Sequence, residues 1–171
     1  MEKILVAGAT GTTGKQIVNL LEASQYFKPI AMVRKKEQIE QFNKRNITTI
    51  LADLEEDISD VTKEVDKVIF AAGSGGKNVE EVDKNGAKKL IDASEKSNIK
   101  KFIMLSSLGT GTPEKADELK DYLIAKQSAD NYLKQSRLTY SIVRPGSLTN
   151  DKATNKVELK EKLKEMDEIP R

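Results

Sequence analysis

Ile4, Leu5, Val6 and Ala7 form an unbroken apolar run that ends at a glycine, and a helical rhythm of Ile17, Val18 and Leu21 begins just beyond it. A short apolar run bounded by glycine reads as a buried strand, so this stretch predicts strand, turn and helix in that order. The alternation recurs along the chain. Further strands are predicted at 28–33 (with Pro29 at its edge), 47–51, 68–72, 102–105 and 139–143, where apolar and β-branched residues cluster. Between them, 37–43 reads as a short polar helix and 58–63 as a short helix or turn. Val79, Val82, Gly86, Leu90 and Ala93 recur at spacings of three and four, which predicts a helix to about residue 97. Thr112-Pro113-Glu114 reads as a helix start, with a capping hydroxyl, proline at the first position and an acid in the first turn. That helix should run to about residue 135.

Strands alternating with helices six times imply a parallel sheet covered on both faces. The expected architecture is a single-domain α/β fold of the Rossmann type, doubly wound, with strand order 3-2-1-4-5-6. Its ligand crevice should lie at the carboxyl ends of the strands. Residues 1–150 should form this nucleotide-binding unit, and 151–171 a short, charged C-terminal segment. Within that segment Val157, Leu159, Leu163 and Met166 are sparse apolar residues, which suits a surface helix with a thin seam or a strand leading into a helix.

Composition narrows the chemistry. The 171 residues carry 29 Lys plus Arg against 27 Asp plus Glu, so the net charge of +2 is no footprint for nucleic acid. With no cysteine and no histidine, disulfides, thiol chemistry, Cys-based metal sites and the usual general base are excluded. Catalysis must rest on Ser, Tyr, Lys, carboxylates or a cofactor. No apolar run reaches the length of a membrane span. A core strand beginning by residue 3 leaves no room for a signal peptide, so a cytoplasmic location is expected.

The first turn reads Gly8-Ala-Thr10-Gly11-Thr12-Thr13-Gly14. Placed between a strand and a helix, it has the form of a dinucleotide-binding turn. Gly8 lets the chain leave the strand sharply, Gly11 lets a pyrophosphate approach the backbone, and Gly14 lets the helix pack close to the sheet. The N–H groups at the helix start hold the phosphates, and the hydroxyls of Thr10, Thr12 and Thr13 can add hydrogen bonds. The second strand ends in Val33-Arg34-Lys35-Lys36, and its first acid is Glu37. An acid at the strand end would meet the 2′-hydroxyl of NAD, whereas cations there suit a 2′-phosphate. NADP is therefore expected over NAD, with Arg34 as the better phosphate ligand and Lys35 beside it. Asp53-Leu54 falls where an adenine would rest; Asp53 either accepts from the adenine amine or caps the next turn. Ala71, Ala72 and Gly73 end the fourth strand at the switch point, where small residues leave room for adenosine and ribose.

Strand five ends in Ser106-Ser107, and the following helix carries Tyr122 and Lys126, four apart and so on one face. An ammonium close to a phenol lowers its pKa, so Tyr122 is expected to exchange a proton with a substrate oxygen that a serine holds. The bland alternative is a packing aromatic beside a snorkelling lysine.

Together the glycine turn, Asp53-Leu54, Ser106-Ser107, Tyr122-x-x-x-Lys126 and Val143-Arg144-Pro145-Gly146 resemble the atypical short-chain dehydrogenase/reductases over residues 3–171. The closest likeness is to small NAD(P)H-binding proteins grouped with NmrA-like and flavin or biliverdin reductase-like proteins. The resemblance implies NADP as cofactor, Tyr122 as proton donor, Lys126 on the nicotinamide ribose, Ser107 or Ser106 orienting the substrate, and Pro145-Gly146 against the nicotinamide. The implied activity is reduction of a small carbonyl, quinone or flavin-like acceptor. A redox sensor that binds NADP(H) without turnover, and an NAD-dependent isomerase or epimerase, are the alternatives. In many members Ile-Pro-Arg is followed by an acid and a further helix and strand. A substrate lid and a last strand are thus expected to be missing here, and residues 157–171 to pack less firmly than the core.

Overall fold

Leu5 and Ala7 point to one face of their strand and Ile4 and Val6 to the other, and the protein builds a separate core on each side. A computed structural model describes residues 1–161 and 167–171. Strands β1 (Glu2–Ala7), β2 (Phe27–Val33), β3 (Thr48–Leu51), β4 (Lys67–Phe70), β5 (Lys101–Leu105) and β6 (Tyr140–Val143) form one parallel sheet in the order β3-β2-β1-β4-β5-β6. The register places Leu5 between Ile30 and Val68. Pro29 precedes the first β2–β3 pair, Ile30 with Thr48, so its missing N–H breaks no bond to β3.

Because side chains alternate across a strand, β1, β2 and β4 each feed both cores. Ile4, Val6, Ala31 and Val33 pack with Val18 and Leu21 of helix α1 (Thr12–Glu22) and Phe42 of the short helix α2 (Ile39–Asn43). Leu5, Ala7, Val68, Phe70, Phe102 and Met104 pack on the other face with Leu90 and Ile91 of helix α3 (Ala87–Lys96) and Ala129 and Leu133 of helix α4 (Lys120–Gln135). A π-helical stretch, Val79–Gly86, leads into α3.

Residues 59–63 take the turn form of the two readings left open. Two expectations change. The helix expected from Thr112 does not start there: Pro113–Lys115 make one 3₁₀ turn, Thr112 gives no side-chain cap, and Ala116 is extended. Thr110 is the reason. Its carbonyl accepts from the Gln127 side chain (2.8 Å) and its hydroxyl reaches Asp130 (3.4 Å), so residue 110 is fixed beside the middle of α4. The chain must then run back about 10–15 Å, at 1.5 Å per residue, before α4 can begin. In the C-terminal segment, 157–161 is irregular, with Val157 exposed and Leu159 85% exposed, so no seam forms there; Leu163 and Met166 lie outside the described residues. Two strands went unforeseen: β7 (Ser147–Thr149) pairs in parallel with β8 (Glu168–Pro170) as a separate two-stranded sheet. The backbone N–H of Arg171 continues the pairing to Thr149. Gly146 allows it, because a Cβ there would collide with the backbone of Asp167. No helix among the described residues is long and apolar enough to cross a membrane.

Candidate functional site

The carboxyl ends of β1 and β4 meet at Gly8. Its φ of +86° turns the chain off β1, and a Cβ would lie 2.6 Å from the Ala72 nitrogen and 2.7 Å from the Ala71 carbonyl group. Only glycine satisfies both demands. Gly14 is buried in α1, and a Cβ there would run into the backbone of Gly8 and Ala9. Gly11 begins α1 with extended backbone, no side chain caps the helix, and its first turn holds no acid. Its first N–H groups and its dipole therefore face outward with Thr12 exposed and Thr10 and Thr13 half-buried, a fit for a diphosphate.

Arg34 and Lys35 are exposed beyond β2. Gln38 shapes the turn that carries them, because its side-chain oxygen accepts both of their backbone N–H groups at 3.1 and 3.0 Å. Arg34 lines an open groove with Leu51, Ala52, Asp53 and Ile58. Asp53 takes the capping role left open by the sequence, accepting the Glu55 N–H at 3.1 Å. The Leu54 side chain is buried against Gly86 and does not line the groove.

At the other end of the crevice the expected group assembles, with an unforeseen partner. Lys126 is only 3% exposed, and its Nζ lies 3.3 Å from Oδ1 of the fully buried Asp83. The same ammonium reaches the carbonyls of Ala72 (3.4 Å) and Leu105 (3.5 Å) and stands 5.7 Å from the Tyr122 ring centroid and 5.6 Å from that of Phe70. Asp83 comes from the π-helical stretch, and its second oxygen accepts the Ser74 N–H at 3.0 Å. It thereby fixes the Gly73-Ser74 loop to the switch point.

This partner corrects the expectation for Tyr122. Its pKa is raised, not lowered: burial disfavours phenolate, the charges of Asp83 and Asp130 add to this, and only a hydrogen bond with Ser107 opposes them. The Lys126 charge, already matched by Asp83, does not reverse the balance.

The two serines separate. Ser106 is buried and donates to Asp130 at 2.9 Å, which commits it to the interior. Ser107 remains half-buried beside the phenol. Arg144 is held by Asp130 through Nε (3.0 Å) and Nη2 (2.8 Å), and the Pro145 carbonyl accepts the Leu108 N–H. Asp83 and Asp130 were missed in the sequence although each left a signal: a carboxylate within the apolar stripe of its helix, Asp83 between Val82 and Gly86, Asp130 beside Ala129 and Leu133. Among the described residues no acidic cluster could hold a metal.

Residues 8–171 match the model of a family described as NAD(P)H-binding. The chain belongs to that family. It is similar to the uncharacterized sugar epimerase YhfK of Bacillus subtilis, 40% identical over 91% of this chain and 76% of that one. A UPF0659 protein of Saccharomyces cerevisiae is 37% identical over 95% of this chain and 77% of its own. Among solved structures, a Bacillus halodurans protein provisionally named an NAD-dependent epimerase/dehydratase superposes with a TM-score of 0.93 at 38% identity, over 99% of this chain and 82% of that one. In this NAD(P)H-binding protein the glycine turn from Gly8 to Gly14 lies within the matched residues.

Proposed function

We propose that this NAD(P)H-binding protein is an NADP-dependent oxidoreductase for a small carbonyl, quinone or flavin-like acceptor, with Tyr122 as its proton donor. The observation that carries the reading is the convergence of Ser107, Tyr122 and Lys126 beside Ala72, on the crevice that opens at the glycine turn. The dinucleotide supplies hydride when bound. Gly8, Gly11, Gly14 and the threonines cradle its diphosphate; Ala71, Ala72 and Gly73 make room for adenosine and ribose. Asp53 and the backbone of Leu54 border the adenine, and Pro145-Gly146 the nicotinamide. Arg34 and Lys35 take the 2′-phosphate from the exposed rim, on a strand exit whose first acid in sequence is Glu37.

The protein's own chemistry lies in the proton. A raised pKa keeps Tyr122 a neutral phenol across physiological pH, with a proton to give to a substrate oxygen. Ser107 orients that oxygen. Lys126, held by Asp83, is positioned to contact a ribose hydroxyl and to accompany the phenolate that donation leaves. Ser106 supports from below and does not touch the substrate.

The epimerase names of two relatives favour a second reading, in which the same tyrosine serves a cofactor that is reoxidised within each turnover. Binding and turnover separate the two. The first reading expects NADPH to bind at least about tenfold tighter than NADH, on the order of 1.4 kcal/mol. Arg34→Ala should remove that margin, and NADPH should be consumed with a quinone, flavin or aldehyde. Equal affinity for the two nucleotides, with conversion of a nucleotide sugar at constant cofactor, would replace it with the second.

A further inference from the structure

Asp130 sits two turns along α4 from Tyr122 and has no part in the proton transfer above. It is fully buried, and a single oxygen, Oδ2, receives four hydrogen bonds: from Ser106 Oγ (2.9 Å), Thr110 Oγ1 (3.4 Å), Arg144 Nε (3.0 Å) and Arg144 Nη2 (2.8 Å). These donors belong to the exit of β5, the loop beyond it and the exit of β6. The same two exits are joined by the Ser106 N–H on the Val143 carbonyl and the Leu108 N–H on the Pro145 carbonyl, each at 2.8 Å. Ser107 and Pro145-Gly146 therefore ride on segments that are tied to α4 at one carboxylate.

We propose that Asp130 is a positioning residue, a buried anion that draws the ends of β5 and β6 onto α4 and so holds Ser107 against the Tyr122 phenol. A negative charge is required because two of the four bonds come from a guanidinium, and charge-assisted bonds of this kind are about twice as strong as neutral ones. Geometry also fixes the electrostatic consequence. Tyr122 is surrounded by Asp83 from the π-helical stretch, Lys126 and Asp130 from its own helix, and Ser107 from the exit of β5, with Arg144 from the exit of β6 acting through Asp130. Removing the Asp130 charge leaves the Arg144 cation without its partner and favours phenolate.

The inference rests on Tyr122 as proton donor, and its test has a readout that does not. Phenolate absorbance is titrated for Asp130→Asn, Asp130→Glu and Arg144→Gln, each minus the same variant carrying Tyr122→Phe, so that only Tyr122 is seen. Asp130→Asn should lower the Tyr122 midpoint, Arg144→Gln should raise it, and Asp130→Glu should restore it most of the way. Turnover in Asp130→Asn should fall about tenfold to a hundredfold through misplacement of Ser107, while NADPH affinity changes less than threefold. A Tyr122 midpoint that stays put in Asp130→Asn overturns the proposal; if that variant does not fold, an unmoved midpoint in Arg144→Gln does the same. If Tyr122→Phe alone keeps full turnover while the midpoints still move, the proton-donor reading fails and the positioning by Asp130 stands.

Discussion

Asp83→Asn tests the pair that most changes the picture of this site. The substitution is nearly isosteric and keeps an acceptor for the Ser74 N–H, so its main effect is to leave the Lys126 ammonium buried without a counter-charge. Both members are almost wholly inaccessible, and the remaining contacts of Nζ are two carbonyls at 3.4 and 3.5 Å and two aromatic rings beyond 5 Å. Breaking a buried pair from one side costs about 3–5 kcal/mol. Against a typical domain stability of about 5–15 kcal/mol, that is about a fifth or more of the whole. For a chain of this size about 1 kcal/mol shifts Tm by about 2–4 °C, so a fall of roughly 6–20 °C is expected. Urea unfolding measures the free energy, and Asp83→Asn/Lys126→Met closes the cycle. If the cost is an unpaired charge, the double variant regains most of the loss, because Met fills the space of the lysine stem without its charge. A loss in Asp83→Asn below about 0.5 kcal/mol, or a double variant as unstable as the sum of the singles, would refute the argument. The ion pair would then be one that water can replace.

Tyr122→Phe should lower kcat by about 10²–10⁴ with cofactor affinity within a few-fold, measured by steady-state kinetics and NADPH titration. Gly14→Ala should abolish dinucleotide binding and destabilise the fold, because its Cβ meets backbone that cannot yield; calorimetry and binding read both. Stability should fall above about pH 10, since Tyr122 has a raised folded pKa and the unfolded chain gives up that proton first. It should also fall below about pH 4.5, because Glu2 and Asp66 are held below their usual values, chiefly by hydrogen bonds to Lys67 and to the Lys3 N–H respectively, and the unfolded chain takes up protons first. Chemical denaturation across pH follows both limbs, and a flat profile between pH 3 and 5 would contradict the second. Arg171→Ala should loosen β7 and β8, because it removes the guanidinium bonds to Thr13 and Asn150; faster amide exchange in 147–149 is the measure.

Much of the fold was legible because each sheet strand carries its own signal. Every strand of the main sheet, from Leu5 to Ile142, contributes apolar residues in a short run, and the glycine turn fixes where the first crossover begins. The alternation implies a parallel sheet, and the order 3-2-1-4-5-6 expected of a Rossmann-type fold is the order observed. Two features had no local signal. Strands β7 and β8 are three residues each, too short for a period to register, and they pair across a separation of about twenty residues. The break at Ala116 is imposed from a distance, by Gln127 and Asp130 holding Thr110, while Thr112-Pro113-Glu114 carries sound capping chemistry that the tertiary contacts override.

The Tyr122 site shows the same division more sharply. A four-residue spacing on a helix is enough to bring Tyr122 and Lys126 together, and they do lie together. What that neighbourhood does to the phenol is decided elsewhere, by Asp83, 43 positions before Lys126 in the chain, and by Asp130, which answers to Arg144 just beyond β6. Pairing along a helix is a local property that spacing reveals; a pKa is a sum over every charge within a few ångströms, most of them distant in sequence. The sign of the shift therefore had to wait for the fold. It also changes what the lysine is for. A free ammonium would favour phenolate. One matched by Asp83 leaves the phenol with its proton, the form that the proposed donor role needs. Asp83 thus bears on the phenol's proton affinity from outside the tyrosine's own helix.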